Sequence, residues 1–312
     1  MNPSSTTERP MRRLLPLVLF LAACPGGEPD PPEDCPPAEE MEFDAMPGST
    51  MTIGTDERPA DVIVPFAYDG TRAMPVIFLL HGYGANAQLQ DFLFKFQGRV
   101  DDDQFLLVMP NGTTDERGNN HWNATDACCD FGGTQTDDVG YLTGLLDEVE
   151  ARFRVDTSRV YFTGHSNGGY MSYRMACEIP DRIAAILPLA GATWLDDAMC
   201  DAESPVAVLH VHGTEDPDVL YDGDFDYPGA VASLETWAAR NGCDLGAATA
   251  GESLDLIRSL EGDETSVVNY SEGCACGTES TLWTLEGEGH VPPFTEAFAE
   301  HAVEWLLERR IQ

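Results

Sequence analysis

Apolar residues in this chain fall into short continuous runs, separated by longer stretches in which apolar and polar positions alternate at helical spacing. Val76-Ile77-Phe78-Leu79-Leu80 and Phe105-Leu106-Leu107-Val108-Met109 have no polar position at all, which is the pattern of strands buried on both faces. Arg159–Thr163, Ile183–Ala190, Pro205–Val211 and Thr281–Leu285 read as further strands, and Asp61–Tyr68 as an early one. Between them, Ala85–Arg99, Asp138–Phe153, Tyr170–Cys177, Tyr227–Asn241 and Thr295–Arg309 read as helices. Strands alternating with helices predict an α/β fold, with a mostly parallel central sheet covered by helices on both faces. Only one core is implied, so residues 49–312 are expected to form one domain. No period of 20–50 residues repeats, which argues against a solenoid or propeller.

The N-terminal residues break this pattern. Arg12 and Arg13 precede the apolar run Leu14–Leu21, and Leu21-Ala22-Ala23-Cys24 closes it. A basic start, a short apolar stretch and small residues make residues 1–23 a signal peptide. A cysteine directly after them resembles the lipobox of bacterial lipoproteins, in which Cys24 would carry the lipid. The run is too short to remain as a spanning helix. Residues 24–48 are rich in proline, glycine and acid, and are expected to be an extended tether. The reading is of an exported protein, held at the bacterial cell envelope by Cys24 or released, that touches membrane only through that lipid.

Charge narrows the partners. The 312 residues include 54 Asp and Glu against 17 Lys and Arg, a formal net charge of −37, and Lys95 is the only lysine. Such a field repels phosphate backbones, so nucleic acid is not an expected partner. The same composition suits a protein bathed in high salt. Setting aside Cys24, eight of the nine cysteines remain for an oxidising compartment, where disulfides are expected. Cys128-Cys129 and Cys274-x-Cys276 lack the ligand spacing of a zinc site, and no metal or other cofactor is expected.

The candidate chemistry centres on Gly164-His165-Ser166-Asn167-Gly168-Gly169, placed between a strand and a helix. A serine at such a hinge, flanked by glycines, is the nucleophile elbow of α/β hydrolases. Its hydroxyl needs a base, and the base needs an orienting carboxylate, in the chain order Ser, Asp or Glu, His. The loop His212-Gly213-Thr214-Glu215-Asp216-Pro217-Asp218 supplies the acid, with Asp216 favoured and Asp218 and Glu215 close enough to compete. His290, in the glycine-framed loop after the last strand, supplies the base. Acyl transfer also needs N–H donors for the oxyanion. The backbone of Asn167 and that of Tyr83, in His81-Gly82-Tyr83-Gly84, are the candidates. His81 and His212 read as strand-end histidines bracing neighbouring loops. In the long polar segment from Pro110 to about Asp137, Trp122 reads either as a cleft wall or as packing for its loop. With Asn123 it is the candidate substrate contact.

Several of these motifs occur together in one family. His81-Gly82-x-Gly, Trp122-Asn123-Ala124 with Cys128-Cys129, Asp137-Asp138-Val139-Gly140-Tyr141-Leu142, the elbow, His212-Gly213-Thr214-x-Asp216, Trp237–Cys243 and Gly289-His290 together resemble the secreted esterases grouped as polyhydroxybutyrate depolymerases and feruloyl or acetylxylan esterases. The resemblance covers roughly Asp61 to Gln312. It implies a Ser166/Asp216/His290 triad and cofactor-free hydrolysis of carboxylic esters, namely feruloyl or acetyl esters of plant polysaccharide or hydroxyalkanoate oligomers. It also makes a bridge from Cys243 to Cys274 or Cys276 plausible, leaving Cys177 and the Cys128–Cys129 pair available to each other. Where the family often continues Thr-Trp-Pro after the histidine, this chain has Val291-Pro292-Pro293, so that edge of the cleft is expected to differ. The rival readings are a serine peptidase on the same fold and a non-catalytic surface binding protein.

Overall fold

The computed structural model describes residues 47–312; the expected signal segment, Cys24 and nearly all of the tether lie outside them. In chain order the strands are β1 Thr50–Gly54, β2 Pro59–Ile63, β3 Met74–Leu80, β4 Leu106–Pro110, β5 Thr113–Thr114, β6 Asn120–His121, β7 Val155–His165, β8 Ala185–Leu189, β9 Ala207–Gly213, β10 Thr249–Ala250, β11 Thr265–Tyr270 and β12 Ser280–Leu285. The helices are α1 Ala87–Phe94, α2 Val100–Asp103, α3 Asp138–Arg152, α4 Asn167–Glu178, α5 Ala230–Arg240 and α6 Glu296–Leu307.

Ten strands form one sheet in the order β1-β2-β4-β3-β7-β8-β9-β12-β11-β10. Its centre, from β4 to β12, is parallel throughout, and antiparallel pairs finish both sides. Alternation along β3 shows how the apolar runs work: Val76, Phe78 and Leu80 enter one core, Ile77 and Leu79 the other. Successive strand residues face opposite sides, so a strand covered on both sides is apolar except where a buried polar side chain finds a hydrogen-bond partner. The first core takes Leu142 of α3, Met171 of α4 and Trp237 of α5; the second takes Phe94 of α1 and Phe298 of α6.

Several expected elements differ in extent. The helix expected over Ala85–Arg99 stops at Phe94, because Lys95 is left-handed (φ 60°) and a 3-10 turn follows over Phe96–Arg99. The early strand ends at Ile63, before Pro65, rather than running to Tyr68. The long polar segment is not structureless: β5 and β6 make a small hairpin within it.

Disulfides join Cys128 to Cys129, Cys177 to Cys200 and Cys243 to Cys274. The expected Cys243 bridge is therefore made to Cys274. Cys177 does not pair with the vicinal cysteines, since α4 carries it toward the loop after β8, where Cys200 lies. Among the described residues Cys276, which is exposed, has no disulfide partner. Some motifs of the resemblance hold the fold together. Asn241 accepts the Val206 N–H at 3.0 Å and donates to the Val206 carbonyl at 2.8 Å, fixing the end of α5 to the start of β9. Buried Asp138 accepts from Arg58 and from the Asn123 N–H, both at 2.7 Å.

Candidate active site

Ser166 separates β7 from α4 and holds φ 54°, ψ −119°. A non-glycine residue at positive φ costs of order 1–3 kcal/mol and persists only where its surroundings enforce it. Here the enforcement is visible. The Ser166 N–H donates to the Leu189 carbonyl at 2.8 Å, and its own carbonyl accepts the Tyr170 N–H at 2.9 Å. The flanking glycines are needed for close backbone approach: a Cβ on Gly164 would lie 2.5 Å, and one on Gly168 2.2 Å, from the Leu80 carbonyl oxygen. Gly168→Ala is therefore expected to push α4 off β3 and cost roughly 1–3 kcal/mol, read as a fall in the urea midpoint. An unchanged midpoint would show that the hinge can relax.

Asp216, in the loop after β9, is 4 % exposed. Its Oδ1 accepts the Asp218 and Val219 N–H groups, both at 2.9 Å, and its Oδ2 lies 2.7 Å from His290 Nδ1. Burial alone would raise this carboxyl, but the bonds from His212, His290 and the Val219 N–H outweigh burial and hold it well below the usual carboxylate range. A carboxylate only accepts, so His290 Nδ1 carries the proton and Nε2 has the free lone pair. Ser166 and His290 line one cleft. Of the competing acids, Asp218 reaches Asp216 through its backbone, and Glu215 has no bond to His290. Asp216, Asp218 and His290 are also a group whose ligand atoms could hold a cation among the described residues. An ion there would compete with the Asp216–His290 hydrogen bond.

Behind Asp216 runs a buried chain of rings. His212 Nε2 is 2.8 Å from the Val219 carbonyl and 3.3 Å from Asp216 Oδ2. Both partners accept, so this nitrogen donates. His212 Nδ1 then accepts from His210 Nε2 at 3.0 Å, and His210 Nδ1 accepts the Tyr173 hydroxyl at 2.7 Å. One carbonyl thus fixes both tautomers. His165, inside the pentapeptide, donates from Nε2 to the His290 carbonyl at 2.7 Å, and the two rings pack with centroids 4.6 Å apart. Reading the motif for its serine alone passed over this brace.

Burial holds His210 well below its ordinary range, lowers His81 to about 4, and lowers His165 to about 3, where the nearby His290 adds to the effect. Each is neutral in the fold yet takes up a proton near 6.5 once unfolded. Their support for folding is present above pH 6.5 and is lost as the pH falls from there toward the lowered values. The expected NMR result is three imidazole signals that stay flat from pH 8 to pH 5. A protonation shift at any of the three in that window would contradict it.

Trp122 and Asn123 do not line the cleft. Trp122 is fully buried, donating from Nε1 to the His81 carbonyl at 2.9 Å and from its backbone to Asn167 Oδ1 at 2.7 Å. Asn167 Nδ2 returns a bond to the Trp122 carbonyl at 2.9 Å. Asn123 donates from its side chain to the Thr136 carbonyl at 2.9 Å. Both brace the elbow and the long loop, which is the packing role that Trp122 also allowed in sequence. Tyr83 does line the cleft, its hydroxyl held by Asp115 at 2.5 Å. The opposite walls, Leu89, Phe92 and the Val291–Phe294 turn, make the 590 Å³ cleft largely apolar.

A ten-stranded, centrally parallel sheet with helices on both faces, and a serine on a positive-φ hinge between strand and helix, define an α/β hydrolase. The chain belongs to the phospholipase/carboxylesterase family, whose model matches residues 67–222, half of its length. It is 26% identical over 245 residues to feruloyl esterase B of Piromyces equi, covering 75% of this chain and 42% of that protein. To feruloyl esterase C of Emericella nidulans it is 28% identical over 252 residues, covering 75% and 84%. The acetyl xylan esterase of Aspergillus awamori superposes with a TM-score of 0.60 at 15% identity, over 83% of this chain and 99% of that one, and shares the fold. The chain thus spans less than half of the Piromyces equi protein.

Proposed function

We propose that this protein is an exported serine esterase, with Ser166 as nucleophile, His290 as base and Asp216 as the carboxylate that orients it. The observation that carries the reading is the 2.7 Å contact between His290 Nδ1 and Asp216 Oδ2, with Ser166 lining the same cleft as His290. Ser166 Oγ attacks the ester carbonyl and His290 Nε2 takes its proton. The N–H groups of Asn167 and Tyr83 receive the oxyanion. Asn167 suits that role because it opens α4, where helix N–H groups lack intrahelical acceptors. Collapse of the intermediate expels the alcohol with the proton from His290, leaving an acyl-serine. Water then attacks the acyl-serine, giving its proton to His290, and the acid leaves as Ser166 Oγ regains that proton. No cofactor is required.

The names of the relatives point to feruloyl or acetyl esters of plant polysaccharide, and the family resemblance adds hydroxyalkanoate oligomers. In the same reading residues 1–23 are the signal peptide, Cys24 is lipidated, and residues 24–48 tether the catalytic domain of residues 49–312. Among the described residues no helix is long and apolar enough to cross a membrane. The test is hydrolysis of methyl ferulate, acetylated xylo-oligosaccharide, hydroxybutyrate oligomers and p-nitrophenyl esters, at low and high salt, beside Ser166→Ala. Turnover that needs Ser166 is expected. Full turnover by the alanine variant would defeat the assignment.

A further inference from the structure

With 54 acids against 17 Lys and Arg, a patch of surface taken at random is acidic by about three to one. The cleft beside Ser166 is the reverse. Neither aspartate nor glutamate lines it, whereas Lys95 and Arg258 both do.

The two cations are not equivalent. Lys95 Nζ lies 2.5 Å from Glu296 Oε1, so its charge is met. Arg258 sits in the segment between β10 and β11, where its backbone N–H donates to the Pro293 carbonyl at 3.0 Å and its Nη2 to the Phe294 carbonyl at 3.1 Å. These bonds tie it to the turn just after His290. Among the described residues no carboxylate pairs with its guanidinium. A guanidinium has five N–H donors in a planar fork, and one neutral carbonyl satisfies only part of them.

We propose that Arg258 is an anion subsite of the cleft, taking a carboxylate that the substrate carries away from its scissile ester. The proposal rests on the reading of Ser166 as the nucleophile, and makes Arg258 a specificity-determining residue. A net charge of −37 repels an anionic substrate over most of the surface. The guanidinium of Arg258, at the exposed rim of the cleft, offers the opposite: a planar fork matched to carboxylate geometry. The carboxylate could belong to the free end of a hydroxyalkanoate oligomer or to a uronic acid on an acetylated xylan fragment.

Two matched substrate pairs separate these sources. One is the hydroxybutyrate dimer against its terminal carboxamide; the other is an acetylated xylo-oligosaccharide with and without a uronic acid branch. For each pair, the kcat/KM ratio of acid to neutral substrate is measured for the full chain and for Arg258→Gln and Arg258→Lys, with Ser166→Ala as the blank. Gln keeps an N–H for the Phe294 carbonyl but no charge, and Lys restores the charge without the fork. In one pair Arg258→Gln is expected to lower the ratio about tenfold or more, with partial recovery in Arg258→Lys and a fall with salt in the parent. A fall in the first pair assigns the hydroxyalkanoate, and in the second the uronate. A ratio that Arg258→Gln leaves unmoved in both pairs, while turnover still needs Ser166, would overturn the subsite alone. No Ser166-dependent turnover of any of the four would overturn the subsite, and with methyl ferulate and p-nitrophenyl esters also untouched the esterase reading would fall with it.

Discussion

Exchange of Ser166 for alanine is expected to lower kcat for ester hydrolysis by about 10⁴-fold or more, since in the proposed mechanism every later step passes through the acyl-serine. KM should move far less, because the apolar cleft walls and the backbone N–H donors are untouched. The alanine side chain ends at the Cβ already present, so the fold should hold and the urea midpoint should stay within about 1 kcal/mol of the parent. It could even rise, if removing the hydroxyl eases the hinge. Single-turnover kinetics with a p-nitrophenyl ester would show the loss as a vanished burst, and a fluorophosphonate probe would no longer label the protein. A surviving burst would move the nucleophile elsewhere.

Asp216→Asn is the second large effect, and its direction follows from the two sides of the carboxylate. Oδ1 faces two backbone donors, the N–H groups of Asp218 and Val219. In the variant, the amide oxygen must stay on that side, since an NH₂ there would meet two donors. The NH₂ is thereby turned toward His290 Nδ1 and toward His212, which also donates. His290 is then held with its proton on Nε2 and cannot take up the Ser166 proton that the proposed mechanism assigns to it. The expected loss in kcat is about 10⁴-fold, with a smaller loss of stability from the opposed His212 N–H. Asp218→Asn reaches His290 by no such route and is expected to cost less than about tenfold. Paired pH–rate profiles of the two variants decide between the acids, and equal losses would contradict the geometry.

The parallel centre of the sheet was legible because strands covered on both faces are mostly apolar, and β3, β4 and β8 are uninterrupted runs without a charged or hydrogen-bonding side chain, while β9 carries only the partnered His210 and His212. The elbow was legible because its glycines answer to backbone contacts that no other residue permits. The edges were harder to read. β11, Thr-Ser-Val-Val-Asn-Tyr, has only its two ends buried, so its pattern is diluted. The break at Lys95 depends on a left-handed residue that no glycine or proline signals. Trp122 shows the limit for site residues: a large aromatic among polar neighbours looks the same in sequence whether it faces substrate or closes a hinge. The bond from His165 to the His290 carbonyl joins residues 125 apart, and Arg258 reaches the cleft from a segment with no motif.

The hydrogen-bonded hinge and the cleft walls obey different rules of change. Ser166, Asn167, Trp122 and Asp216 are locked by buried partners, whereas Leu89, Phe92 and Val291 are 57, 82 and 64% exposed. Exposed positions usually tolerate substitution within about ±0.5 kcal/mol. Substrate preference in this molecule is therefore nearly free to drift without endangering the fold. A saturation library at those three wall positions should return mostly soluble enzymes with shifted preferences, and the same library at Gly164 or Trp122 mostly insoluble chains.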